Sequence, residues 1–416
     1  MKIGLSFLGL GKYKMANYYW VSAKQENMEY KTTLFPETLP VFFNVSKLLL
    51  LVTKKVAMGS NCRELQRRMG AMLKLVEIPD GKNEAELWEI FSLVATAIPP
   101  QSEIVIDITH AFRSLPLIVF NVASYLRRVK NVKVERIIYG NWEAHDPNFD
   151  PPRAPVIDLT SMLDLQDWLH GIDAFQRRGE AEELAASLSR TQGQIWREAP
   201  SSAGSAGLPQ KLKYTAAQLE KFSEALRLLR PLAAFEASQK LNDLLKTVQE
   251  EARRWAKPFA DVLQNISEEI DPLYIEQPAI LSPAHLKAQI VLIRYYLEKD
   301  LVVQAVLLAR EWLISYLIWR QKKQERWREY KDVRFIAGKE LNQAAAKQRS
   351  EETTLPLWYN KFPESRELAD LWNGLSSLRN DVAHCAMNTQ TSSTSKIRDG
   401  IKKITARLEN LVQNLH

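Results

Sequence analysis

Apolar residues along the first ~165 positions fall in short β-branched runs separated by amphipathic stretches, the alternation that specifies a parallel sheet covered by helices. Strands are predicted at Lys2–Leu8, Lys47–Thr53, Lys74–Ile78, Glu103–Thr109, Val132–Tyr139 and Pro155–Leu159. Asn83 followed by Glu86 makes a capping box for a helix over Asn83–Ala97. Ser114 is placed to cap the next helix, with Pro116 in its first turn, where a missing N–H costs nothing. From about Asp164 the period of two gives way to a helical period. Helices are predicted near Thr215–Leu229, Leu232–Trp255, Phe259–Ile270, Pro283–Glu298, Val302–Gln324, Glu364–Met387 and Thr394–Leu415. The Pro, Ser, Ala and Gly bias of Ala199–Gln210 marks a linker, and polar Lys347–Thr354 marks an exposed loop. No fixed-period repeat stands out, which disfavours a solenoid.

The expectation is therefore an α/β, Rossmann-like N-terminal domain over residues 1–165 followed by an all-α region, divided into a connector at 166–282 and a C-terminal domain at 283–416. With 416 residues, several cores are required. Cys62 and Cys385 have no CxxC or Cys/His spacing around them, so neither a disulfide framework nor a structural metal site is expected, and a reducing cytoplasm fits. The start is too short an apolar run for a signal peptide, and no other segment is expected to reach the ~18 apolar residues that a membrane span needs, so no membrane partner is expected. The net charge of +7 attracts polyanions such as nucleic acid or acidic membrane surfaces. Eleven tryptophans could stack on bases, though core packing accounts for them as well.

Asp107-Ile108-Thr109-His110-Ala111-Phe112-Arg113-Ser114-Leu115-Pro116 joins a buried strand to a helix. Ligands collect outside the carboxyl ends of parallel strands, where helix N-termini face anions. Thr109, His110 and Arg113 add a hydroxyl, an imidazole and a guanidinium, groups that bind phosphates and purine edges. Thr109 and His110 could also simply start a helix, and Asp107 is expected to orient the loop. A second strand-end turn, Gly9-Leu10-Gly11-Lys12-Tyr13-Lys14, combines two glycines with two lysines. Those glycines serve either a close backbone approach or turn geometry alone. No P-loop pattern occurs.

Asp107–Pro116 resembles the Asp-x-Thr-His-Gly-x-Arg-Ser-x-Pro signature of CARF domains, the sensor modules of CRISPR-associated proteins, with Ala111 where the family has glycine. Gly-Leu-Gly-Lys-Tyr at 9–13, Ile78–Glu84 and Tyr139-Gly140-Asn141 resemble further patterns of that family. The resemblance implies that Gly9, Gly11, Tyr13, Thr109, His110, Arg113 and Asn141 contact a cyclic oligoadenylate, with cyclic tetra-adenylate favoured by family habit. It also implies that two such domains pair around one two-fold symmetric ligand, so that a homodimer or higher even oligomer is expected.

Near the C-terminus, Leu378-Arg379-Asn380-Asp381-Val382-Ala383-His384 lies in an amphipathic helical pattern. RNA cleavage through the 2′-hydroxyl requires a group of near-neutral pKa to move protons and a cation to hold charge on phosphorus. Histidine and arginine meet those demands. Asn380 and His384 share a helix face, whereas Arg379 and His384 lie about 140° apart. Spacing alone allows a helix-end arginine and a partly buried histidine instead. Of the six histidines, His384 alone has an arginine five to seven residues upstream.

The motif resembles the Arg-x4–6-His of HEPN ribonucleases, and Ala305–Leu313 looks like their first core helix. That resemblance implies a composite site across a dimer, with His384 in proton transfer, Arg379 stabilising the phosphorane and Asn380 positioning the scissile phosphate or its partners. Arg310 and Glu311 either line this cleft or form a charge pair. Together the resemblances imply a cytoplasmic prokaryotic endoribonuclease of type III CRISPR defence, activated by cyclic oligoadenylate, acting on single-stranded RNA without cofactor or metal. Two alternatives stay open: a sensor that cleaves its own cyclic ligand, and a non-catalytic, ligand-controlled binding protein.

Overall fold

The computed structural model describes residues 2–21, 27–111, 114–199, 204, 207–387 and 391–413. These form two compact units, one of residues 1–167 with 194–208 and the other of 168–193 with 209–416.

In the first unit the strands are β1 (Lys2–Phe7), β2 (Ala16–Val21), β3 (Asn27–Thr32), β4 (Lys47–Val52), β5 (Leu73–Glu77), β6 (Glu103–Asp107), β7 (Lys133–Gly140) and β8 (Arg153–Asp158). Among the described residues they make one eight-stranded sheet in the order β3-β2-β8-β7-β6-β1-β4-β5. The run β7-β6-β1-β4-β5 is parallel, and its inner strands β6, β1 and β4 are buried on both faces. The rest of the sheet corrects the expectation of a simple parallel sheet. β8 pairs antiparallel with β7, and the unforeseen β2 and β3 form an antiparallel pair beyond it. β3 alternates exposed and half-buried residues because it is an edge strand, so it lacks the apolar run that betrays its neighbours.

Helices α1 (Thr38–Phe43), α2 (Lys54–Ala57), α3 (Ser60–Met69), α4 (Glu84–Ala97) and α5 (Leu115–Val129) cover the sheet. Ile3, Leu5, Leu49 and Ile106 pack on Ile90, Val94, Val119 and Leu126 of α4 and α5. Leu48, Val105 and Ile138 meet Leu39 and Phe42 of α1 through the opposite face. The Asn83 side chain accepts from Glu86 N–H at 2.9 Å, as predicted, while the Glu86 carboxylate accepts from Lys82 N–H. Ser114 occupies the cap position of α5 but makes no side-chain cap bond, because its own backbone is already helical.

Two further helices, α6 (Thr160–Arg178) and α7 (Glu182–Glu198), include residues of both units. The second unit continues with α8 (Leu212–Arg227), α9 (Pro231–Trp255), α10 (Lys257–Ile270), α11 (Pro283–Glu298), α12 (Val302–Arg320), α13 (Phe335–Gln348), α14 (Ser365–Ala383) and α15 (Thr394–Gln413). Helices from residues 166–282 and from 283–416 share one hydrophobic core, which runs from Trp168 to Val412.

Within it α12 is largely enclosed and mostly apolar: Ala305, Ala309, Trp312, Leu313 and Leu317 are fully buried, while Arg310 and Glu311 reach its surface. By length and mean hydropathy (1.4) this helix reaches the range of a membrane span, contrary to the expectation from the sequence, and 61% of that window is buried inside the protein. The bond from Trp312 Nε1 to the Leu286 carbonyl, 2.9 Å, ties α12 to α11.

Candidate functional site

Chain order places a reversal between β1 and β6: from β1 the sheet grows through β4 and β5, then returns to β6 on the other side of β1. Such a switch leaves a crevice at the carboxyl ends of the two strands. The turns holding Gly9–Lys14 and Thr109–Ala111 follow β1 and β6 at that place. Underneath, buried Asp107 accepts from Ser6 Oγ of β1 and, at 2.7 Å, from Thr109 N–H. Burial pushes the Asp107 carboxyl up to about 6, against the opposing pull of its hydrogen bonds. Asp107 therefore orients the loop, as expected.

Above it is a pocket of about 250 Å³, lined by Lys12, Tyr13, Lys14, Tyr18, Thr109 and His110 together with Tyr139, Gly140, Trp142 and Glu143. Thr109 Oγ1 accepts from Gly140 N–H at 2.8 Å and so joins the β6 turn to the end of β7. The Tyr13 hydroxyl accepts from Gly9 N–H at 2.7 Å, folding the β1 turn back on itself. His110 stacks on Tyr13 with centroids 4.0 Å apart. Its Nε2 is buried without a hydrogen-bond partner, and burial holds the imidazole down at about 4, so the ring is neutral at pH 7. Lys14 Nζ sits 5.8 Å from the Trp142 ring centre. Two lysines with several aromatic faces suit an anion bearing a planar base.

Of the seven residues proposed for this pocket, Tyr13, Thr109 and His110 line it. Arg113 lies outside the described residues. Gly9, Gly11 and Asn141 are adjacent rather than lining. Neither Gly9 nor Gly11 has positive φ. Asn61 Nδ2 donates to the Gly11 carbonyl at 2.8 Å, and Asn141 Oδ1 accepts from Ala144 N–H at 3.3 Å, capping the short turn that carries Trp142 and Glu143. Sequence reasoning missed Tyr18, which lies on the unpredicted β2, and also Tyr139, Trp142 and Glu143. An aromatic beside each strand end was the available signal.

In the second unit, α14 ends at the other proposed cluster. His384 is the C-cap and is exposed. Its N–H donates to the Asn380 carbonyl at 3.0 Å, and Ala386 N–H reaches back to the Asp381 carbonyl at 3.0 Å. That closure requires Cys385 and Ala386 to take φ of 52° and 56°, a left-handed backbone that side chains other than glycine resist. Half-buried Arg379 donates to exposed Asn380 Oδ1 at 2.9 Å. Arg310, on α12, lies over the Trp372 ring at 4.3 Å and donates to Glu311 at 3.3 Å. Glu311 is in turn bridged by Arg334 at 2.8 Å, so Arg310 and Glu311 form a charge network. Burial, reinforced by the Arg379 charge, lowers the Arg310 pKa. Arg310, over Trp372 of α14, and Arg379, two turns further along that helix, are thus near enough for their charges to interact. Asp381, two residues after Arg379, is buried, with one carboxylate oxygen accepting from Ser392 N–H and the other unpaired among the described residues.

Residues 164–273 match the family model described as the second domain of CRISPR-associated protein MJ1674. CRISPR-associated protein MJ1674 of Methanocaldococcus jannaschii is 31% identical over 129 residues, which span 30% of this chain and 20% of that protein. The chain is thus similar, over part of its length, to the CRISPR-associated protein MJ1674 family. The family match falls on helices from which sequence reasoning drew no chemistry.

Proposed function

We propose that the chain is an endoribonuclease of CRISPR defence, switched on by a cyclic oligoadenylate and cutting single-stranded RNA as a homodimer or higher even oligomer. The observation that carries the cutting step is the accessible end of α14, where an exposed imidazole follows one turn after an arginine and amide pair, with Arg310 nearby. In the cleavage step, His384 moves the proton of the 2′-hydroxyl or of the leaving oxygen, Arg379 holds the charge that grows on phosphorus, and Asn380 keeps the guanidinium aimed. A second copy brought alongside would double this sparse set. The pocket at the switch point supports the sensing step: Lys12 and Lys14 offer charge to phosphates, while Tyr13, His110 and Trp142 offer stacking faces to adenines.

The test is a ribonuclease assay of the purified chain with a panel of cyclic oligoadenylates in EDTA. Stimulation by one ring size, lost in Arg379→Ala and His384→Ala, supports the reading. Indifference to every ring removes the sensor, and full activity in both variants removes the α14 cluster.

A further inference from the structure

The helical unit holds a second pocket, of about 290 Å³, that no part of the proposed cleavage step uses. Leu232, Leu308 and the indole of Trp327 give it apolar walls, and Gln289, Glu311 and Arg328 give it polar ones. Its volume is near the low end for small-molecule sites, about 300 Å³, which suits a single nucleobase better than a large cofactor.

The polar walls are not equivalent. Glu311 is engaged by Arg310 and Arg334, and the Trp327 N–H is satisfied by the Ala279 carbonyl at 3.0 Å. Gln289 differs: the residue is 4% exposed and its Oε1 has no donor. One turn earlier on α11, His285 gives its Nδ1 to the Ile280 carbonyl at 3.1 Å, which leaves buried Nε2 as an unpaired acceptor set edge-on against Trp327. His285 lies behind the wall and does not line the pocket, but for Gln289, which does, a buried acceptor without a donor is costly and a ligand N–H relieves it. Exposed Arg328 lines the same pocket and makes no ion pair among the described residues, so it is available to a phosphate. A carboxamide acceptor and donor side by side match the N6 amino group and N7 of adenine. Glu311 also connects the pocket to the cleavage cluster, since its neighbour Arg310 feels the charge of Arg379.

We propose that this pocket receives one adenine of the RNA strand, through Gln289, and thereby sets where the cut falls; the inference rests on the nuclease reading for its substrate. The experiment titrates the full chain with adenosine and inosine 5′-monophosphates, which differ in the 6-amino group. Adenosine monophosphate is expected to bind about tenfold more tightly. Gln289→Met should erase that preference without lowering the melting temperature, because it removes an unpaired acceptor at similar volume, and His110→Ala should keep it. Equal binding to the unmodified chain overturns the proposal, as does a preference that survives Gln289→Met. A preference lost only in His110→Ala places the base in the other unit and also overturns it. Should the preference depend on Gln289 while no RNA is cut under any ring, the pocket stands and the nuclease reading falls. Should RNA be cut at equal rates with adenine or hypoxanthine at the preferred position, the reverse holds.

Discussion

The His110 imidazole lies stacked on Tyr13, 4.0 Å between ring centres, so the turns after β6 and β1 meet face to face in the pocket. Tyr13 also receives the Gly9 N–H on its hydroxyl. Replacing Tyr13 with Phe keeps the stack but strands that N–H. Loss of about 1–3 kcal/mol of stability is expected, with weaker cyclic oligoadenylate binding. Urea unfolding and a binding titration check both; an unchanged midpoint would show that water replaces the hydroxyl.

Gly140 ends β7 against Phe35, and a Cβ built on it would stand only 2.3 Å from the Phe35 ring. Gly140→Ala should therefore cost about 1–3 kcal/mol through overpacking, and displace the Thr109 hydroxyl that this N–H holds. Denaturant midpoints measure the first effect. Ligand affinity measures the second.

Because His110 is held down to about 4, against an ordinary value near 6.5, the unfolded chain takes up a proton on this residue at higher pH than the folded chain does. Its contribution is fully present above about 6.5 and is lost as pH falls toward about 4. Asp107 runs the other way: raised to about 6 from 3.8, it contributes most below 3.8 and its contribution is lost as pH rises through 6. The two partly offset each other. In Asp107→Asn the acid-side loss should become steeper between pH 6 and 4, as read from unfolding midpoints. An imidazole titration midpoint for His110 near 6.5 would contradict the burial that drives this.

Arg379→Ala and His384→Ala should each lower RNA cleavage by about 10²-fold or more, the range for lost proton transfer or charge stabilisation. His384 is exposed, so its replacement should leave stability within about 0.5 kcal/mol. Cyclic oligoadenylate affinity should be unaltered. A single-turnover assay beside a melting curve separates lost chemistry from lost fold.

Replacing Lys12 and Lys14 together with Ala should weaken anionic ligand binding and flatten its dependence on salt, since both line the pocket as cations. Affinities at two ionic strengths decide the point.

Much of the secondary structure was legible. β4 and β6 are buried on both faces and so read as apolar runs, β1 reads likewise but for Ser6, and Asn83 with Glu86 marks where α4 begins. β3 was not legible, because an edge strand with one wet face carries little hydrophobic signal. With β2 unrecognised, Tyr18 could not be placed in the pocket. Likewise, nothing in the spacing of Arg310 and Arg379 brings them together; packing of α12 against α14 does.

Local pattern thus determined most of the strands and helices, though not β2, β3 or α13, and which strand-end turns carry charge and aromatic rings, because periodicity and capping act over a few residues. The tertiary structure decided strand order, the switch between β1 and β6, the unpaired acceptor of Gln289 and the shared core of the helical unit. Those depend on contacts between residues distant in the chain, whose burial and electrostatics no local window contains.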